Sequence, residues 1–95
     1  MNIAQEIRNY LLQHNPDALY IGEGEEHDSA LIGATYIKRD DQFVHIAMYE
    51  YDLLVESFIK QFDDDEDPEQ SALDWIDYNV TGAYMGINTP YIVYN

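Results

Sequence analysis

The 95-residue sequence contains no cysteine and only four basic residues, Arg8, Lys38, Arg39 and Lys60. Without cysteine there is no disulfide framework and no thiolate metal site, which suits a reducing compartment. With so few bases, direct binding to nucleic acid or to an anionic membrane is electrostatically disfavoured. No apolar run approaches the roughly 20 residues of a membrane span. The N-terminal stretch MNIAQEIRNYLLQHNP places Glu6 where a secretory leader needs an unbroken apolar core. These absences lead us to expect a cytoplasmic protein.

What is present is acid. Nineteen Asp and Glu residues give a formal charge of −15. Ten of them fall in two blocks, Glu23, Glu25, Glu26 and Asp28 in one, and Asp63, Asp64, Asp65, Glu66, Asp67 and Glu69 in the other. Such composition can signal disorder, but disordered acidic chains are poor in aromatic and branched residues. Here hydrophobic residues make up 46% of the chain, with nine Tyr, three Phe and one Trp, so a folded single domain spanning residues 1–95 is expected.

Periodicity locates the elements. Ile3, Ile7 and Leu11 recur at helical spacing, predicting a helix over 2–13 that ends before Pro16. Ala18–Ile21 reads as a short strand, followed by a Gly-rich acidic loop at 22–29. Residues 31–37 and 43–49 read as a hairpin joined by the polar stretch 38–42. In the second of these strands Val44, Ile46 and Met48 share a face, which we assign to the core. From Asp52 the period becomes helical, with Leu54, Val55, Phe58, Ile59 and Phe62 as the apolar stripe. The acidic block interrupts this helix. A second one begins with Asp67 as N-cap, Pro68 at the first position and Gln70 where a capping box places Glu or Gln. Gly82 marks its end, and Tyr91–Tyr94 forms a last strand. The expected fold is α+β, in the order α-β-β-β-α-α-β, with about four antiparallel strands and helices packed on one face.

Candidate sites are few. Asp63, Asp65 and Asp67 alternate as calcium-loop ligands do, but Pro68 stands where that loop needs Gly and Asp74 where it needs a bidentate Glu. Glu25, Glu26, His27 and Asp28 are metal-capable types, yet neighbours in one loop rarely converge on an ion. His14, His27 and His45 have no evident nucleophile beside them. We therefore expect neither an enzyme, nor a metal, nor a cofactor. The tyrosines, if exposed beside carboxylates, would suit a protein-binding surface.

The stretch Tyr78-Asn79-Val80-Thr81-Gly82-Ala83-Tyr84-Met85-Gly86, followed by Thr89-Pro90, resembles the C-terminal motif of a family of small uncharacterised bacteriophage proteins. Tyr49-Glu50-Tyr51-Asp52 and residues 17–22 extend that resemblance over most of 17–93. It implies a phage or prophage origin and no particular activity, since its residues fix turns, and the acidic blocks lie outside its motif. A small acidic phage protein suggests a DNA mimic. The expected partner is a basic nucleic-acid-binding host protein, such as a CRISPR effector or a restriction enzyme, met in the host cytoplasm. Glu23, Glu25, Glu26, Asp28, Asp63, Asp64, Asp65, Glu66, Asp74 and Asp77 would then replace phosphates. The alternative is a phage accessory protein that binds a host protein through a Tyr/Trp patch, with acidity serving solubility. A third is a small metal-buffering or ligand-binding protein. The composition also leaves room for a homodimer.

Overall fold

Three helices and a three-stranded mixed sheet make up the fold in a computed structural model that describes residues 2–22, 24–81 and 85–94. Helix α1 (Ile3–His14) begins at Asn2, whose side chain accepts from Gln5 N–H at 2.7 Å. Its Ala4, Ile7 and Leu11 stripe is buried. Strands β1 (Leu31–Arg39) and β2 (Gln42–Glu50) form an antiparallel hairpin. Helices α2 (Tyr51–Gln61) and α3 (Pro68–Ile76) follow, then a π-helical turn at Asp77–Thr81 and the short strand β3 (Tyr91–Val93).

Three expectations from the sequence are corrected. The segment 18–21 is not a strand, so the order is α-β-β-α-α-β and the sheet has three strands among the described residues. Its backbone finds other partners: Leu19 N–H donates to Asn88 O at 3.1 Å, and Ile21 N–H to the Tyr49 hydroxyl at 3.1 Å. Ala18 and Ile21 are buried, so this apolar run serves the core without entering a ladder. The sheet is also not all antiparallel. β3 pairs parallel to β2, Tyr49 lying opposite Ile92, because the chain crosses over through the two intervening helices before β3 joins the last three residues of β2.

The third correction concerns which sheet face meets the main core. Ala47 and Tyr49 join α1, Leu31, Leu54, Phe58, Ala72 and Ile76 in one buried cluster. Val44 and Ile46 are buried on the opposite face, where Arg39 reaches over to donate from Nη1 to the carbonyls of Ile87 and Thr89. A bulge between Leu31 and Gly33 sets Leu31 beside Tyr49, which brings it onto the core side while Ile32 stays exposed. The hairpin turn is tighter than the sequence suggests. Only Asp40 and Asp41 lie between the strands, with φ of +48° and +65°. The expected helix stop at Gly82 lies outside the described residues. No helix among those described is long and apolar enough to cross a membrane.

Candidate functional site

The densest charge sits on the α2–α3 hairpin. Residues 50–77 hold eleven acids and a single base, Lys60. Two of the acids are structural. Glu50 caps α2 by accepting from Leu53 N–H at 2.9 Å and Asp52 N–H at 3.1 Å, and Asp67 caps α3 by accepting from Gln70 N–H at 3.2 Å. The capping box is half made, because the Gln70 side chain turns forward to Asp74 Oδ1 at 2.9 Å. Leu54 and Phe58 of α2 and Ala72 and Ile76 of α3 are buried in the main core, which fixes how the hairpin presents its outer side.

On that outer side Asp63, Asp64, Asp65, Glu66, Asp74 and Asp77 are all exposed. The carboxylates of Asp63–Glu66 make no hydrogen bond or ion pair among the described residues. The backbone beneath them is nonetheless held, with Asp65 N–H donating to Phe62 O at 3.0 Å. The turn they occupy contains no basic residue, so four like charges follow one another in sequence.

The other acidic segment is built differently. Arg8 of α1 reaches into it, donating from Nε at 3.1 Å and Nη2 at 2.6 Å to the two Asp28 oxygens, and from Nη2 to Gly24 O at 3.1 Å. The guanidinium lies over the Tyr20 ring at 4.2 Å. The hydrogen bond to Asp28 raises the Arg8 pKa against the opposing effect of burial, so the guanidinium stays charged. Glu26 accepts from Gly24 N–H at 3.0 Å. Gly22 adopts φ of +88°, and a Cβ there would meet Glu26 Oε1 at 2.5 Å, so the tight bend requires glycine. Asp28 is therefore a matched charge, Glu26 is tied to its own loop, and Glu25 points to solvent. Glu23 lies outside the described residues.

His27 links the two segments. Its ring is 2% exposed, stacks on Phe58 at 3.9 Å, and meets Ser57 Oγ through Nδ1 at 2.8 Å. Gln61, the last residue of α2, hydrogen-bonds the same side chain. The acidic loop is thus pinned to the end of the helix from which the block at 63–66 departs. Burial lowers the His27 pKa, and Glu26, Gln61 and Asp28 offset this only in part.

Sequence reading missed the Ser57–His27 pair because thirty residues separate the two. The direction of that hydrogen bond follows the histidine tautomer, and Ser57 Oγ also lies 2.8 Å from Leu54 O, to which it can donate. Also unforeseen is a ring cluster over the hairpin. Tyr10, His14, Tyr36, Phe43 and His45 contact one another at centroid distances of 4.2–5.7 Å. Trp75 packs on Phe58 at 4.7 Å and lines a cavity of about 170 Å³ with Tyr20, Pro90 and Ile92. Among the described residues no three His, Asp or Glu side chains converge as metal ligands. No family model, curated protein or solved structure matches the chain.

Proposed function

We propose that this protein is a non-catalytic acidic inhibitor that occupies a basic nucleic-acid groove of another protein. The observation that carries this reading is the turn Asp63–Glu66: four exposed carboxylates with no partner among the described residues, held on a capped and packed helical hairpin. Asp74 and Asp77 continue the charge along α3 and the π-turn, and Glu25 adds to it from the pinned loop. Asp28 is removed from the phosphate-like set by its ion pair with Arg8. A fixed array of like charge attracts Lys and Arg without first paying to order itself. In this reading the source is a phage, the setting is the host cytoplasm, and the target is a CRISPR effector or a restriction enzyme.

The test is inhibition of DNA cleavage by purified effector nucleases and restriction enzymes, measured across a salt series. Inhibition should be competitive with DNA and weaken steeply as salt rises. Asp63→Asn, Asp64→Asn, Asp65→Asn and Glu66→Gln combined should abolish it. An inhibitor untouched by that change would shift the case to the second reading, an accessory protein binding through exposed aromatics. That alternative draws on Tyr78 and Tyr94, both largely solvent-exposed.

A further inference from the structure

β1 is a terminal strand of the sheet, and among the described residues no strand pairs with its outer edge. The two-residue turn with positive φ at both positions makes Arg39 and Gln42 the closing hydrogen-bonded pair. Alternation from that pair turns the N–H and C=O groups of Lys38, Tyr36 and Ala34 away from β2. Among the described residues no hydrogen bond takes up these outward groups. Ile3 and Tyr36 flank the edge at 68% and 57% exposure, and a groove of about 250 Å³ beside it is lined by Ile3, Glu6, Ile7, Tyr10 and Ala34.

Charge narrows the occupant. Residues 29–39 contain no acid and hold two of the four bases, Lys38 and Arg39. On a molecule of charge −15 a second copy meets less repulsion along this edge than along either acidic segment. It is also self-complementary. Antiparallel pairing about a two-fold axis at Thr35 sets Tyr36 opposite Ala34 of the second copy and Lys38 opposite its Ile32. Lys38 and Ala34 share a sheet face, since they differ by an even number of positions. Each Lys38 therefore arrives on the face where Ala34 and Glu6 of the other copy line the groove.

We propose that the protein forms a two-fold dimer by β1–β1 strand addition, with Lys38 of each copy paired to Glu6 of the other. This goes beyond the inhibitor reading and does not depend on it. Sedimentation equilibrium from low micromolar to near-millimolar protein should show a reversible dimer. Hydrogen exchange should show the amides of Ala34, Tyr36 and Lys38 gaining protection as the dimer fills. Tyr36→Pro removes an outward N–H without touching the β2 ladder and should leave a folded monomer. Lys38→Glu should weaken the dimer roughly tenfold or more, and adding Glu6→Lys should restore it. That rescue keeps the proposal testable even if the proline variant fails to fold. A chain monomeric throughout, with the bulge and Lys38 acting as edge guards, overturns the proposal. So does a dimer whose three amides exchange freely, or one in which the reversed pair brings no rescue.

Discussion

Tyr49 illustrates how much rests on single polar atoms in a domain this small. Its ring is fully buried, and burial pushes the phenol pKa up to about 12, so it stays neutral and accepts from Ile21 N–H. Tyr49→Phe keeps the packing but strands that buried donor, and should lower stability by about 1–3 kcal/mol in chemical denaturation. His27 makes a second prediction, in pH. Its folded pKa is depressed, so between the folded value and the unfolded value of about 6.5 the unfolded chain binds more protons than the native one. Stability contributed by the neutral ring is complete above that window and declines as pH falls through it. From about pH 7 to about pH 5.5, wild type should therefore lose more stability than His27→Gln, measured by denaturant midpoints at each pH.

At the scale of elements, the hairpin turn is a local conflict. Asp40 and Asp41 both occupy the left-handed region and sit side by side with like charge. Asn-Gly fits this turn type without strain, so Asp40→Asn with Asp41→Gly should raise stability by about 1 kcal/mol, seen as a higher denaturation midpoint. The elements that were legible in sequence carried local signals: the Ile3–Ile7–Leu11 stripe, the Asp67-Pro68 start of α3, the alternation in β2. Those that were not depended on distant chain. Ala18–Ile21 has strand-like residues, but its partners are Asn88 and the Tyr49 hydroxyl, which no window around residue 20 contains. The site divides the same way. Exposure of Asp63–Glu66 follows from the charge run, whereas the matching of Asp28 by Arg8 and the anchoring of His27 to Ser57 are contacts between separate elements.

Over the whole molecule, charge opposes compaction. Raising salt from about 10 mM to about 150 mM shortens the screening length from about 30 Å to about 8 Å, which relieves self-repulsion. The thermal midpoint should rise by roughly 5 °C, the shift that about 1 kcal/mol produces in a domain of this length. Neutralising Asp63–Glu66 should raise the low-salt midpoint and shrink the salt response. A chain with equal midpoints at both salts would mean that its carboxylates do not repel across the fold. In the expected case, high salt stabilises the protein while weakening its hold on a basic target, so the two responses separate folding from binding.

The placement of Arg8 has a bearing on proteolysis. Trypsin cuts after Lys or Arg, and this chain offers it four such positions. Arg8 lies within a helix with its guanidinium closed around Asp28, and Arg39 holds two carbonyls across a sheet face. Lys38 is in a strand and Lys60 in a helix, so every cut requires ordered backbone to open first. Digestion of the native protein should therefore be slow. When reclosing outpaces cleavage, its rate reads the population of open chain, which makes trypsin a direct gauge of stability in the variants above.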